Sequence, residues 1–327
     1  MSGLIPRIAG HNEHSWALVL GAGEGKRLRS LTTDDRGVAV PKQFCSLAGE
    51  HSLLHDALLR ARAVASPART CAIVAAEHRR WWEPSLRSLP SENIIVQPGN
   101  RGTAIGILLP LAAILRRDPD ATVLVLPSDH FVRNEVILAR AIREAMSRAR
   151  DGEVILLGID PEEADTELGY IVPDRPCGAD VQQVARFVEK PQRHEAEQTI
   201  EAGGLWNSFI FAARGATLFG MLERALPEGA MQLVDIERRV ADGEAMPGDL
   251  ADVYEHLPTV DFSREVLQHL PRFLRVMRVP SCGWSDLGTP RRVREVLSRE
   301  LADFVPEPVA SGGILNLAAQ HARLQLA

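Results

Sequence analysis

Two kinds of hydrophobic pattern alternate along the first half of the chain. Short continuous apolar runs predict buried strands at residues 16–20, 70–76, 93–96, 122–126 and 153–159. Between these runs, apolar residues recur at three- and four-residue spacing and predict helices at 53–64, 103–116 and 135–150. Strands that alternate with helices in this way predict parallel βαβ units in a doubly wound α/β sheet.

The pattern becomes more mixed after residue 160. Short strands are predicted at 169–173, 184–190, 208–213 and 273–279, and helices at 192–202, 216–225, 231–242 and 291–301. This mixture predicts a smaller lobe with antiparallel additions that closes over one side of the main sheet. We therefore expect a leader at 1–14, one domain at 15–303 with halves at 15–160 and 161–303, and a tail at 304–327.

Composition and charge narrow the classes of function. The formal net charge of −6 argues against a nucleic-acid or anionic-membrane partner, because both require a basic excess. Cys45, Cys71, Cys177 and Cys282 are far apart and form no metal-binding spacing, which predicts reduced thiols in a cytoplasmic protein. Residues 1–14 lack the apolar core of a signal peptide, and no apolar run reaches membrane-spanning length.

The turn after the first predicted strand has the residue types that hold phosphate. It reads GAGEGKRL over residues 21–28, and PKQF follows at 41–44. Glycines let backbone N–H groups approach an anion, while Lys26, Arg27 and Lys42 would add positive charge. The loop is neither a P-loop, which needs Ser or Thr where Arg27 stands, nor a dinucleotide fingerprint, whose third glycine would replace Lys26. Alone, it leaves open a plain βα turn with solvated cations.

Six further segments carry polar residues suited to catalysis or binding. They read QPGNRGTA at 97–104, PSDH at 127–130, GYI at 169–171, FVEKP at 187–191, WNS at 206–208 and GWSDLG at 283–288. Each has a structural explanation by itself; Asp129 can cap the next element, and Glu189 with Lys190 can form a solvated pair. However, the glycine loop and Asp129 both follow predicted strands, and α/β sheets bind ligands at the carboxyl ends of their strands. This arrangement predicts a site at that edge.

Taken together and in order, these motifs resemble those of the sugar-1-phosphate nucleotidyltransferases, over residues 16–292. The Gln-Phe pair at 43–44 and the NRGTA run are most similar to the mannose-1-phosphate guanylyltransferase branch. The resemblance implies a mostly parallel, Rossmann-like sheet with a smaller mixed sugar-binding lobe. It also implies an Mg²⁺-assisted attack of mannose 1-phosphate on the α-phosphorus of GTP, releasing pyrophosphate. Since the attacking phosphate oxygen is already ionised, positioning and charge neutralisation would suffice.

The resemblance also implies roles for individual residues. Arg27, Lys42 and Asp129 would be catalytic, and Asp129 and Asp286 would bind the metal. The expected nucleotide-binding residues are Gly21, Ala22, Gly23, Gly25, Lys26, Arg27, Gln97, Gly102, Thr103 and Ser128. The expected sugar-phosphate-binding residues are Gly169, Glu189, Lys190, Asn207 and Asp261. The implied ligands are GTP, Mg²⁺ and a sugar 1-phosphate, with neither nucleic acid nor membrane as partner and a homodimer left open.

Departures from the family pattern concern the sugar pocket more than the reaction. Ala22 and Phe209 stand where glycine is common, Pro290 stands where an aromatic is common, and the stretch 33–40 is longer than usual. None of these changes removes a charged group. Two alternatives remain open: the same chemistry with another NTP or hexose 1-phosphate, or a catalytically silent nucleotide-sugar sensor. A dehydrogenase would require the glycine loop to be misread, and no isomerase module or hexapeptide repeat is expected.

Overall fold

The computed structural model describes residues 12–34, 36–47, 51–149, 152–175, 181–300 and 314–320. The strands are β1 (Ser15–Gly21), β2 (Thr70–Ala75), β3 (Ile94–Gln97), β4 (Thr122–Pro127), β5 (Phe131–Val132), β6 (Val154–Ile159), β7 (Gly169–Pro173), β8 (Gln182–Glu189), β9 (Leu205–Arg214), β10 (Leu274–Arg278) and β11 (Trp284–Ser285). The helices are α1 (Leu53–Ala61), α2 (Arg79–Ser85), α3 (Gly102–Arg117), α4 (Glu135–Arg148), α5 (Arg193–Glu201), α6 (Gly215–Ala225), α7 (Pro227–Ala241), α8 (Asp249–His256) and α9 (Pro290–Glu300).

Within the described ranges, nine strands form one sheet in the order β3-β2-β1-β4-β9-β6-β10-β8-β7. The first four strands pair in parallel, as the βαβ rhythm predicts. β9 then lies antiparallel between β4 and β6, and β10 runs parallel to β6 but antiparallel to β8. The predicted α/β class is therefore confirmed, and the mixed strands of the second half continue the same sheet.

Helices cover both faces of this sheet. Along β1, Ala17 and Val19 face one core and Trp16 and Leu18 face the other, as expected from the two-residue period of a strand. Helices α1 and α4 pack on the first face, and α3, α6 and α7 pack on the second. Residues 104–114 of α3 are buried throughout, so the apolar surface all round this helix is explained by its position.

The predicted strands all occur, with ends shifted by at most three residues. The helix predicted at 103–116 begins at Gly102, and its first turn is fastened by Asn100 and by the carbonyl of Val260 rather than left free. Helices α2 and α8 and the short β5–β11 ribbon were not predicted, because their apolar residues are too few to set a period.

A docked segment, residues 314–320, lies against the stretch that follows the PKQF motif. The amide of Ser46 donates to the carbonyl of Leu315, and the amide of Leu317 donates to the carbonyl of Ser46. Leu317 itself is fully buried in the core. The rest of the predicted tail and residues 1–11 of the predicted leader lie outside the described residues.

The predicted state of the cysteines is confirmed where it can be seen. Cys45, Cys71 and Cys282 are buried free thiols, and burial raises the pKa of Cys45 to about 12. Cys177 lies outside the described residues. Among the residues whose structure is described, no helix has the length and apolarity needed to cross a bilayer.

Candidate active site

A cleft of about 400 Å³ opens at the carboxyl ends of β1 and β4. The sequence placed a candidate site at this edge, and residues from both halves of the chain line it. The predicted site residues on its wall are Ala22, Gly23, Arg27, Gln97, Gly102, Thr103, Ser128, Asp129, Gly169, Glu189, Lys190, Asn207, Asp261 and Asp286. A volume of this size accommodates a small-molecule ligand.

Four predicted residues do not line the cleft. Gly21 ends β1, and Lys42 lies buried beneath the floor. Gly25 and Lys26 line a smaller pocket of about 260 Å³ on the other side of the glycine loop. Lys26 is largely exposed there and pairs with Glu24 at 2.7 Å. The structure therefore does not bring Lys26 into the cleft, and its role stays a prediction.

Lys42 is held at the centre of the site. Its Nζ donates to the backbone carbonyl of Asp286 at 2.6 Å and lies 2.9 Å from Asp129 Oδ2. Only 7% of this side chain is exposed, so its charge is compensated by these oxygens rather than by water. Because Asp129 follows β4 and Asp286 lies between β11 and α9, one ammonium group joins two distant parts of the chain.

The carboxyl groups around Lys42 are ionised. Burial alone would raise the pKa of Asp129, but the charge of Lys42 and the neighbouring His130 hold that pKa below its usual value. Burial lowers the pKa of His130 to about 4, so the imidazole is neutral near pH 7. Asp129 keeps 37% of its side chain exposed and can therefore accept a further ligand from the cleft.

Asp286 is fixed from behind by a buried ion pair. Its carboxylate accepts from Arg292, and the same guanidinium also contacts the carboxylate of Asp165. Burial would raise the pKa of Asp286, but Arg292, followed by His130 and Lys42, holds that pKa low. Sequence reasoning missed Arg292 and Asp165, because nothing in their local sequence shows that they meet.

The glycine loop is held in shape by a residue whose contacts the motif did not reveal. Gln43 Nε2 donates to the carbonyls of Gly21 at 2.9 Å and Gly23 at 2.7 Å. Gly25 has φ +62°, and a Cβ there would lie 3.0 Å from the amide nitrogen of Lys42. The loop and the PKQF block are therefore built as one unit.

One wall of the cleft ends in an unpartnered acceptor. Gln97, at the end of β3, is buried, and its Oε1 has no hydrogen-bond partner. Beside it, Gly102 has φ +84°, and a Cβ at this residue would lie 2.2 Å from the carbonyl oxygen of Val260. Thr103 Oγ1 accepts from the amide of Phe262 at 2.8 Å, so this hydroxyl supports the wall. An unsatisfied buried acceptor is costly and points to a ligand that donates.

The predicted sugar-side residues line the same cleft. Glu189 is buried, 3.3 Å from Lys190 Nζ, and burial raises the pKa of its carboxyl despite that ammonium. Asn207 Oδ1 accepts from the amide of Phe209, which leaves its amino group available. Arg27 and Glu167, which also line the cleft, form an ion pair at 2.6 Å, and both side chains are about half exposed.

Backbone strain is concentrated at this cleft. Among the described residues, the non-glycine residues with positive φ are Lys190 at 48°, Phe209 at 56° and Leu287 at 48°. Lys190 and Phe209 line the cleft, and Leu287 follows Asp286. Such conformations cost roughly 1–3 kcal/mol each and persist where the surrounding structure enforces them, often at functional sites.

A divalent metal could be held by two carboxylates. No cluster of three or more His, Cys, Asp or Glu side chains suitable for a metal occurs within the described ranges. Asp129 and Asp286 nevertheless both line the cleft; Lys42 Nζ contacts the carboxylate of Asp129 and the backbone carbonyl of Asp286, whose own carboxylate accepts from Arg292. Magnesium commonly takes one or two carboxylates and completes its shell with substrate phosphate oxygens and water, so this donor set fits it.

The fold and the cleft together define a class: a doubly wound α/β protein with a glycine loop, a buried lysine and two aspartates that line a cleft at the carboxyl edge of its sheet. The nucleotidyl transferase family model matches residues 16–302. The chain therefore belongs to the nucleotidyl transferase family.

Individual relatives agree with this assignment. The chain is 32% identical over 292 residues to the alginate biosynthesis protein AlgA of Pseudomonas syringae, covering 86% of this chain. It is 30% identical over 296 residues to mannose-1-phosphate guanylyltransferase 2 of Escherichia coli O157:H7, covering 84% of this chain. In both comparisons the chain spans 58% of the relative's own length.

Solved structures show the same architecture. A crystal structure from Thermus thermophilus, described as a mannose-1-phosphate geranyltransferase, superposes with a TM-score of 0.74 at 30% identity, covering 87% of this chain and 79% of that one. A glucose-1-phosphate thymidylyltransferase structure from Bacillus anthracis, at 14% identity and TM-score 0.57, shows the fold alone.

Proposed function

We propose that this protein is an Mg²⁺-dependent guanylyltransferase that joins GTP and mannose 1-phosphate to give GDP-mannose and pyrophosphate. The observation that carries the proposal is the Lys42 ammonium, buried between Asp129 and Asp286 below a cleft with a phosphate-type loop on one side. The relatives named above, one a mannose-1-phosphate guanylyltransferase, support this choice of substrates.

The reaction is an in-line displacement at phosphorus. A phosphate oxygen of the sugar phosphate forms a bond to the α-phosphorus of GTP as the bond to the bridging oxygen of pyrophosphate breaks. No side chain has to remove a proton, which agrees with a neutral, buried His130 beside the site. The Lys42 ammonium, 2.9 Å from Asp129 Oδ2 beneath the floor, would offset negative charge at the α-phosphate from below without contacting it, and Arg27 exchanges Glu167 for the β- and γ-phosphates.

Asp129 and Asp286 would hold Mg²⁺ in this scheme. The bound ion would neutralise phosphate charge and help orient the triphosphate. Arg292 keeps Asp286 ionised and fixed, and Lys42 does the same for Asp129. The ion pairs would therefore keep both carboxylates ionised and fixed as candidate oxygen ligands beside the cleft.

The remaining predicted residues divide between the two substrates. Backbone N–H groups of residues 21–25, with Ser128, serve the nucleotide, and Gly102 and Thr103 support its base. Lys26 lies outside the cleft and would have to leave Glu24 to contribute to binding. The unpartnered Gln97 Oε1 accepts from the N1–H and 2-amino edge of guanine, two adjacent donors that adenine lacks. Gly169, Glu189, Asn207 and Asp261 bind the sugar hydroxyls, and Lys190 binds the sugar phosphate.

Release of pyrophosphate tests the proposal directly. The protein is incubated with Mg²⁺, each of the common NTPs in turn, and a panel of hexose 1-phosphates. We expect GTP with mannose 1-phosphate to give the highest kcat/KM. The same chemistry with another pair would correct the substrates. Binding of GDP-mannose without any turnover would instead support a sensor, and silence with every pair would rule out the reaction.

The variant Asp129→Asn tests the metal assignment. Turnover should fall by roughly a thousandfold or more, because charge stabilisation of the transition state is lost, while GTP binding weakens little. Asp120→Asn is a matched control at the opposite end of β4, where the carboxyl group pairs with Arg214 at the surface. Full activity of Asp129→Asn would show that Asp129 does not hold the ion.

A further inference from the structure

Strand β9 is irregular at the point where it passes the cleft. Its pairing with β6 matches Leu156 to Phe211 and Gly158 to Asn207, so Leu157 alone faces residues 208–210 of β9. Pairing with β4 also stops at Phe211. A β-bulge of this kind redirects a side chain and recurs beside active sites.

The bulge is stabilised by two side chains of its own. Ser208 Oγ donates to the carbonyl of Leu157 at 2.7 Å and accepts from the amide of Ile210 at 3.1 Å. Asn207 Oδ1 accepts from the amide of Phe209 at 3.1 Å. Because Ser208 is fully buried, these hydrogen bonds fix the backbone conformation of residues 207–210.

The residue at the centre of the bulge is a phenylalanine in a left-handed conformation. Phe209 has φ +56°, an unfavourable value for a bulky side chain. Its ring makes edge contacts with the rings of Phe211 and Phe262, with ring centroids 6.2 Å and 6.1 Å apart respectively. Phe209 itself is only partly buried. The remaining surface of Phe209 lines the cleft.

The neighbours of Phe209 define what it faces. Asn207 lies two residues before Phe209 on the same strand. Asp261 immediately precedes Phe262, whose ring contacts that of Phe209. Both Asn207 and Asp261 line the cleft. Polar groups beside an aromatic ring match a sugar, which offers hydroxyls at its edge and C–H groups on its faces. A phosphate has no apolar face for such a ring to contact, and the KM for GTP distinguishes a sugar from a nucleobase.

We propose that Phe209 is a specificity-determining residue: its ring packs against the C–H face of the hexose and excludes sugars with a bulkier substituent on that face. This inference rests on the proposed function and adds the residue that selects the sugar. The bulge turns residue 209 toward the cleft, and its left-handed backbone fixes the position of the ring. Contacts with the rings of Phe211 and Phe262 hold the Phe209 ring in that orientation.

The first experiment compares sugar phosphates in wild type and Phe209→Gly. Mannose 1-phosphate, glucose 1-phosphate and N-acetylglucosamine 1-phosphate are each tested with GTP and Mg²⁺. The variant should lower kcat/KM for the preferred hexose about tenfold and raise relative activity with the N-acetyl sugar tenfold or more, since small apolar differences in a pocket carry about this discrimination. The KM for GTP should not change.

Two controls separate specificity from structure. Phe273→Leu, at a partly buried ring that packs against Arg224 and Arg272 and does not line the cleft, should lower the melting temperature and leave the ratio between sugars unchanged. Phe209→Gly should melt about 2–3 °C higher than Phe209→Ala, because both lose the ring but glycine alone accepts the left-handed backbone without strain.

The outcomes distinguish this inference from the proposed function. If wild type turns over a hexose 1-phosphate and Phe209→Gly keeps the same ratio between sugars, Phe209 does not select the sugar. If wild type turns over no sugar phosphate, the proposed function itself fails. Equal melting temperatures for the glycine and alanine variants would contradict the strained backbone on which the ring's position depends.

Discussion

Individual side chains in this protein are held in charge states that their surroundings set. Asp129 and Asp286 stay ionised despite burial because Lys42 and Arg292 contact them, whereas Glu189 has a raised pKa because burial outweighs Lys190. The same competition between burial and neighbouring charge acts outside the cleft. It gives predictions about stability that do not depend on the proposed reaction.

Asp56, in the first turn of α1, carries a stability cost at neutral pH. Burial raises its pKa to about 6, against about 3.8 in the unfolded chain. The native state therefore binds this proton more tightly, and the resulting stability, present below pH 3.8, is lost as the pH rises through 6. Above that pH the cost is up to roughly 3 kcal/mol, so Asp56→Asn should be more stable than wild type at pH 8 and similar at pH 4.

Urea unfolding at several pH values measures this difference. Asp252→Asn provides the control, because Asp252 occupies the first turn of α8 and is exposed. Its effect on the free energy of unfolding should be small and independent of pH. A stabilisation by Asp56→Asn of equal size at pH 4 and pH 8 would mean that charge burial is not the cause.

Gln97 also gives a prediction at the scale of a single residue, and this prediction concerns function. Replacing it with leucine removes the unpartnered Oε1, so kcat/KM for GTP should fall tenfold or more while the KM for the sugar phosphate stays unchanged. Gln183→Leu is the control, because Gln183 bonds backbone carbonyls of residues 271 and 274 away from the cleft. If Gln97→Leu uses GTP as well as wild type does, base recognition lies elsewhere.

At the scale of elements, the docked segment supports the stretch that carries Lys42. Residues 314–320 bond to Ser46 and Leu47, directly after the turn Lys42–Phe44. Leu317→Ala removes a fully buried side chain and should lower the free energy of unfolding by about 2–4 kcal/mol. Denaturant titration measures this loss. Ile314→Ala, at an exposed position of the same segment, should change it by less than about 0.5 kcal/mol, and equal effects would show that the segment does not dock.

The sequence was most informative about regular elements and least about where distant elements meet. Continuous apolar runs such as residues 122–126 located the strands, because burial on both faces leaves a clear pattern. The motifs identified most of the residues that line the cleft, because the carboxyl ends of the strands they follow meet at one edge of the sheet. The pairing of Arg292 with Asp165 and the support of the loop by Gln43 depend on tertiary contacts between separate segments, which no local pattern encodes.

The bulge in β9 is another feature that the sequence did not predict. The alternation in residues 208–213 predicts a plain strand, and nothing in that stretch indicates that Phe209 takes a left-handed conformation. The resemblance marked position 209 as unusual, and the structure gives the physical reason. The conformation follows from Ser208 and Asn207, whose side chains bond to the backbone in place of the regular ladder.

At the scale of the whole molecule, one buried guanidinium connects two distant segments of the chain beside the cleft. Arg292 contacts Asp286 after β11 and Asp165 before β7, and less than a tenth of each of these residues is exposed. Arg292→Met would leave two buried carboxylates without their cation and should cost about 3–5 kcal/mol in the free energy of unfolding.

Arg291→Ala is the matched control for this change. Its half-exposed side chain pairs with Glu163 and Glu295, and its loss should cost at most about 1 kcal/mol. Unfolding followed by circular dichroism and by tryptophan fluorescence should give one coincident transition for both variants. Equal stability of the two variants would contradict a structural role for the buried pair.

The position of β9 has a consequence for how the chain is made. β4 is complete at residue 127, but its neighbour β9 ends only at residue 214, so the apolar Val-Leu-Val-Leu edge leaves the ribosome long before its partner does. An open, hydrophobic strand edge invites pairing with other chains. During synthesis, about 90 residues must follow before this edge is sealed, and a chaperone that shields nascent apolar strands would raise the yield of folded protein.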